Sequence, residues 1–341
     1  MTGAACPKRM DYGPCGGVHA DRCEVDRRPC PFLDDSQRVR LTAAAEHTSR
    51  QPVGLIAPGP MLVVDVRAPA RWAGDEQRLW QAVAGALPGC VALLGEHVDN
   101  PRGEDDAGDV DATVAIETLA AAGVTVVATV TGRDRDLVGA QATMSRYAAA
   151  GVAAIHCVTG DHPAAVGIAR TAAFAAEAVT LVALANDLGL PATVGESPAS
   201  PGPRVQRMQL KQAAGAGLCI LNHSGEVADL TRFVDACRSE GVAIPFVAPV
   251  PLAADPAAAA ALRQFPGLRL PQEFLDRVTA AADPAEASLG FAAQMASELA
   301  DSGRFVGINL SGSATGADPY ARIELTARFA ATVRAAWTAS A

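Results

Sequence analysis

From residue 61 onward, short apolar runs alternate with alanine-rich stretches long enough to form a helix. The runs are MLVVDV, CVALLG, VTVVATV, VAAIHCVTG, PATVG, LCILN, IPFVAP and RFVGINL. Short β-branched or apolar runs of this kind, each separated from the next by enough chain for a helix, read as the strands of strand–helix units. Eight strand–helix units predict a sheet closed on itself, a (β/α)8 TIM barrel over residues 61–341, with IELTARFAATVRAAWTA as its closing helix. A doubly wound open sheet is the alternative, but no GxGxxG and no GxxxxGKS or GxxxxGKT follows any run. With 341 residues, half of them hydrophobic, the chain can bury a core of that size.

Ahead of the barrel, residues 1–35 hold four of the eight cysteines, in CPKRMDYGPCGGVHADRCEVDRRPC. Residues 36–60, a helical stretch running into Pro/Gly-rich chain, read as a linker. The first ten residues have no apolar core of a signal peptide, and no apolar run reaches the about eighteen residues that cross a bilayer. The expectation is a cytoplasmic protein with no membrane partner. Thiols stay reduced there, which makes Cys6, Cys15, Cys23 and Cys30 metal ligands rather than disulfide partners. Their spacing contains no CxxC knuckle, but the glycines of GPCGG let backbone approach a thiolate-bound ion closely. Four thiolates suit tetrahedral zinc and equally an iron–sulfur cluster. Cys90, Cys157, Cys219 and Cys237 sit in apolar runs and read as small core residues. A net charge of −9 excludes nucleic acid as a partner, because no basic patch could displace phosphate counterions.

Barrel active sites gather at the carboxyl ends of the strands, where side chains alternate inward and outward. Asp65 shares the phase of Met61 and Val63, Asp161 that of Ile155, Cys157 and Thr159, and Asn222 that of Leu218 and Ile220. With those phases facing the lumen, two carboxylates and an amide meet at one mouth. Glu96 and Glu196 end the second and fifth runs in a similar way. Each has a plainer reading alone: Asp65 pairing with Arg67, Asp161 capping a helix, Asn222 serving a turn. Their coincidence at strand ends favours a site. His97, His156 and His223 read as core or turn histidines, since no second ligand recurs at metal spacing, whereas His162 lies in a loop beside Asp161. Lys8 and Lys211 are the only lysines against twenty-six arginines, so these two positions are candidates for needing a compact ammonium rather than a guanidinium fork.

CPKRMDYGPCGGV with CEVDRRPC resembles the cysteine module of methylenetetrahydrofolate reductases, more familiar as a C-terminal extension or a separate subunit. VDVRAP, TGDHP, LKQAAGAGLCILN and GINL resemble, in order, segments of the reductase barrel. The resemblance implies that Asp65 falls at the family's catalytic glutamate, which protonates a folate nitrogen so that the methylene bridge opens to an iminium. It places Asp161 and Asn222 against the pterin, with Glu196 near them as a further substrate-binding residue, and Lys211, His162 and Thr159 on the cofactor side. Asn222 replaces the family's usual glutamine.

Departures bear on the cofactor. Val194 and Pro198 stand where flavin-binding members carry an aromatic and a histidine, and Thr159 stands where an arginine often precedes Gly-Asp. Losing a stacking ring and cations weakens the hold on an isoalloxazine and its diphosphate. The resemblance therefore implies a reductase that passes hydride directly from NAD(P)H, with FAD disfavoured. Two other readings stay open: a folate-binding barrel that transfers a one-carbon unit without reducing it, and an electron-transfer partner subunit. A homo-oligomer is equally open.

Overall fold

The computed structural model describes residues 6–18, 20–33, 55, 60–66, 76–96, 112–166, 172–264, 268–313 and 318–340. Eight strands follow the eight runs: β1 (Met61–Val66), β2 (Val91–Leu94), β3 (Thr125–Thr131), β4 (Ala154–Val158), β5 (Ala192–Glu196), β6 (Leu218–Leu221), β7 (Phe246–Ala253) and β8 (Gly307–Ser313). All pair in parallel with their sequence neighbours, and β8 returns to β1 through Met61↔Gly307 and Val63↔Asn309, closing the barrel. Around it run α1 (Glu76–Ala86), α2 (Ala112–Ala121), α3 (Leu137–Ala149), α4 (Ala178–Asp187) and α5 (Arg204–Ala213). The circuit continues with α6 (Val227–Ser239), α7 (Pro256–Gln264), α8 (Gln272–Ala280), α9 (Pro284–Asp301) and α10 (Pro319–Ser340). Among the described residues no helix is long and apolar enough to cross a membrane.

Two apolar layers hold the barrel. Trp80 of α1, Ile116 of α2, Met144 of α3 and Phe329 of α10 pack on the outward strand residues, each buried side chain contributing about 1.5–3 kcal/mol. A smaller cluster fills the lumen: Met61 and Val63 of β1, Leu218 and Ile220 of β6, and Ala154 of β4 belong to it. The inward phases expected for β1 and β6 are therefore those observed. The phase expected for β4 is reversed, because Ile155 and Cys157 lie in the outer cluster against the helices, leaving Ala154 and His156 on the lumen side. Asp161 reaches the mouth through the loop after β4, not by strand alternation. Val194 also faces the helices, so its type carries no information about a ring bound at the mouth.

The cysteine segment has turns and one antiparallel bridge, Arg22↔Pro29, in place of regular elements. Met10, Cys15, Val18 and Cys30 form its small core. It sits on the carboxyl-end face of the barrel. The Glu177 carboxylate, at the N-cap of α4, accepts the amide N–H groups of Asp11 at 2.9 Å and Tyr12 at 2.7 Å, and the Ser200 hydroxyl donates to the Gly16 carbonyl at 2.7 Å. Of the linker expected over 36–60, all but Leu55 and Pro60 lies outside the described residues.

A candidate ligand cleft at the barrel mouth

The ends of β2 to β6 enclose a cleft of about 210 Å³, lined among others by Glu96, Thr131, His156, Thr159, Asp161, Glu196, Lys211 and Asn222. Its walls are polar and cross-braced. Glu96, just past β2, accepts from the Thr131 hydroxyl at 2.8 Å, the Thr131 amide at 3.1 Å and Arg135 Nη1 at 2.9 Å, which ties the second strand end to the third. The loop after β4 turns at Gly160, whose φ of +91° and a would-be Cβ only 2.9 Å from Thr131 Cβ both require glycine. That tight pass carries Asp161 over the mouth, where its carbonyl accepts from the buried Arg133 at 3.2 Å.

On the opposite wall, β5 and α5 share a buried ion cluster. Lys211 Nζ donates to the Gly195 carbonyl at 2.6 Å and to Glu196 Oε2 at 2.7 Å, and Arg207 Nε lies 3.6 Å from the same oxygen. Burial pushes the Glu196 carboxyl up, but Arg207 and Lys211 outweigh it and hold the group below the usual carboxylate range. His156, which the sequence reading left in the core, faces this wall with Nδ1 2.9 Å from Thr193 Oγ1. Burial, helped by the Lys211 charge, lowers its pKa to about 4, so the ring is neutral. The exposed Asn222 amide donates from Nδ2 to Ser197 Oγ at 2.8 Å. His162 sits in the loop after β4, its ring stacked on Phe174 with centroids 6.0 Å apart.

Asp65 ends β1 on the lumen side, next to Asn309 of β8, and does not line this cleft. Desolvation among the strand ends raises its pKa to about 7, against a lowering hydrogen bond from Asn309. Its side chain is nonetheless exposed toward the mouth. The surrounding strands set the upward direction, and water reaching the carboxyl limits the size of the shift. Asn309 itself is buried, with Oδ1 lacking a hydrogen-bond partner among the described residues.

The module completes the cleft from above through Lys8, Cys15, Gly16 and Gly17. Lys8 is buried, ion-paired with Glu24. Both of the chain's lysines thus line one cleft as buried ammonium–carboxylate pairs. The module thiols lie within electrostatic reach through Cys6: Cys23 acts on Cys6, Cys6 acts on Cys15, and Cys6 and Cys23 both act on Cys30, each in the raising direction. Burial pushes Cys15 up to about 11, and it also raises Cys6 and Cys30. The Cys23 sulfur accepts the Val25 amide at 3.4 Å. All eight cysteines are free thiols, and among the described residues no three Cys, His, Asp or Glu side chains stand in ligand geometry around one point. The donor set has the chemistry of a four-thiolate site, and its side chains are gathered but not converged.

Sequence reasoning missed His156, Arg207 and the module's share of the lining. Correct phasing of β4 would have found His156. Nothing local marks Arg207, and the scarcity of lysine marks Lys8 without placing it in the cleft, since both meet the cleft only through tertiary contacts.

Comparison with known proteins bears on this arrangement. No curated protein matches the chain in sequence. An uncharacterized protein from Clostridium thermocellum, which binds two copies of 5-methyl-5,6,7,8-tetrahydrofolic acid, is 9% identical, with a TM-score of 0.55 over 81% of this chain and 95% of that one. Tryptophan synthase of Mycobacterium tuberculosis is 16% identical, with a TM-score of 0.48 over 81% of this chain and 93% of that one. At such identity the first likeness is one of fold. Family models are more specific: residues 2–53 match the methylene-tetrahydrofolate reductase C-terminal family, here at the opposite end of the chain. Residues 98–314, from the segment after β2 through β8, match methylenetetrahydrofolate reductase itself, and the chain belongs to that family.

Proposed function

We propose that this protein reduces 5,10-methylenetetrahydrofolate to 5-methyltetrahydrofolate with NAD(P)H as reductant. The observation that carries this reading beyond family membership is the placement of Asp65: a carboxyl at a strand end, on the lumen side of the mouth, in surroundings that push its pKa up toward neutrality. Opening the imidazolidine ring needs a proton on one of its nitrogens, and a carboxyl at an ordinary pKa would have none to give. Asp65 donates that proton. Asp161 and the Asn222 amide orient the pterin edge, and Glu196 meets the ligand as the paired carboxylate of Lys211. Thr159 and His162, with the Lys211 pair, make the cofactor side. The folate-binding structural neighbour is consistent with the same ligand class.

The cleft is smaller than the roughly 300 Å³ typical of the smallest drug-sized pockets, so it suits a ring system, with the remainder of a folate or dinucleotide outside it. The three cations that line it, Lys8, Arg207 and Lys211, are each already paired with a glutamate, so the described lining offers no uncommitted cation to a diphosphate. A diphosphate is common to FAD and NAD(P)H, so this pairing does not separate them; Pro198 and Thr159, in place of a histidine and an arginine, support direct use of NAD(P)H over tightly held FAD, and Val194, which faces the helices, does not bear on the choice. When bound, the nicotinamide supplies the hydride. The residues' part is to fix the pterin, hold the proton at Asp65 and keep the wall charges paired.

In this reading Cys6, Cys15, Cys23 and Cys30 hold one structural metal, zinc ahead of an iron–sulfur cluster. Arg9, Ala20, Asp21 and Arg27 of the module all have φ between 47° and 62°, and such backbone persists only where other forces over-determine it. A segment with so small a core needs a cross-link of that kind. Anaerobic incubation of purified protein with methylenetetrahydrofolate and NADH or NADPH is expected to yield methyltetrahydrofolate with matching loss of nicotinamide absorbance. Turnover of the folate without nicotinamide oxidation would instead identify one-carbon transfer.

A further inference from the structure

The cysteine module and the ligand cleft are built as one structure. Lys8, Gly16 and Gly17 line the cleft together with Asp161, Ser197 and Asn222 of the barrel. The docking contacts bridge distant parts of the chain: Glu177 takes two successive module amides, and Ser200 holds the Gly16 carbonyl. Lys8 spans the junction, since its ammonium pairs with Glu24 of the module and lies 5.8 Å from the ring centre of Phe174 of the barrel. Gly17 is what lets Glu24 reach it: a Cβ at that position would stand 1.4 Å from Glu24 Oε2. A charge pair this thoroughly buried is costly unless geometry holds both partners, so an appendage tethered only by sequence would not maintain it.

The geometry points to the module as a permanent wall of the ligand cleft, with the barrel mouth incomplete without it and Lys8 acting as the module's positioning residue, held by Glu24 in that wall. The identity of the ligand rests on the folate reading above; the docking does not. A module that served only as a metal-bearing appendage or electron relay would leave ligand affinity independent of these contacts. A wall makes affinity depend on them.

The test is titration of the full-length, metal-replete protein with 5-methyltetrahydrofolate, comparing the parent with Glu177→Ala and with the double change Lys8→Met/Glu24→Gln. Glu177 is outside the cleft lining, so its removal takes no lining side chain from the cleft and loosens only the seating of the module. The double change removes both buried charges and strands neither. Each variant is expected to bind about tenfold or more weakly, the scale of losing charge-assisted hydrogen bonds, with the parent's metal content and a folded barrel by circular dichroism. Parent-like affinity in Glu177→Ala overturns the wall; weakened binding there with parent-like affinity in the double variant keeps the wall and removes Lys8 from it. A parent protein that binds no reduced folate overturns the folate reading instead. Docking is then decided by amide hydrogen exchange: faster exchange over residues 195–200 in Glu177→Ala supports the wall, and exchange equal to the parent's overturns it. If Glu177→Ala does not fold, Ser200→Ala replaces it with the same expected outcomes.

Discussion

A carboxyl that titrates near neutrality can donate a proton at the pH where most metabolism runs, and Asp65 is placed to do so by its surroundings at the strand ends. The acid form is the active one in the proposed mechanism. The Asp65 limb of activity should therefore be full below about pH 7 and decline as pH rises through it. Asp65→Asn is expected to keep fold and folate affinity while lowering turnover about 10²–10⁴-fold, read from anaerobic initial rates; an unchanged rate would make Asp65 structural. Asp65→Glu restores the family's usual side chain, and the two rates together show whether the site is built around the shorter arm. His156 titrates with the opposite consequence. Its folded-state pKa of about 4 lies below the ordinary histidine value, so its contribution to stability is present above about pH 6.5 and is lost as pH falls toward 4. In His156→Gln, the drop in urea midpoint between neutral and mildly acidic pH should be smaller than in the parent.

The junction of β5 and α5 is where one element depends most on another. Lys211 is 1% exposed, and its ammonium has two partners, both from β5. Lys211→Met leaves Glu196 buried with the more distant Arg207 as its cation and the Ser197 amide on its other oxygen, and the expected cost is about 3 kcal/mol in denaturant unfolding, at the lower end for a broken buried pair. Adding Glu196→Gln should recover much of it, because the stranded charge and not the lost contact carries the cost. A double variant no more stable than Lys211→Met would show that packing dominates. The elements themselves were largely legible: eight apolar runs became eight strands in order. β7 is the exception in length, continuing through Pro249 and Pro251 beyond its last pair with β6, Ile220↔Val247, where a proline ordinarily argues against strand. β4 was legible as a strand but not in phase, since AIHCV is buried on both faces and offers no polar alternation to read.

For the whole molecule, the cysteine module decides whether the mouth is closed. Anaerobically purified protein is expected to contain one equivalent of metal, by elemental analysis, and to lose it in Cys15→Ser and Cys23→Ser. Those variants should also show protease cleavage within the first 35 residues while the barrel stays folded, as expected where metal binding and folding are one equilibrium. Metal-free parent protein with an intact module would remove the structural-metal reading. Zinc gives a colourless protein and an iron–sulfur cluster a brown one, so a visible spectrum of the same sample separates them.

The amino-acid sequence by itself determined the barrel, because repeated apolar runs separated by helix-length chain have few ways to bury themselves and eight of them close. It also determined that Asp65 and Asn222 point inward, since Met61, Val63, Leu218 and Ile220 are large apolar residues that must fill the lumen. Only the tertiary structure decided what surrounds them. The pairing of Lys211 with Glu196, the neutral His156 and the seat of Lys8 over Phe174 each join residues far apart in sequence. Local pattern carries no information about such contacts, because charge pairing and desolvation depend on which surfaces meet, and that is settled only when the barrel closes and, for Lys8, when the module docks on it.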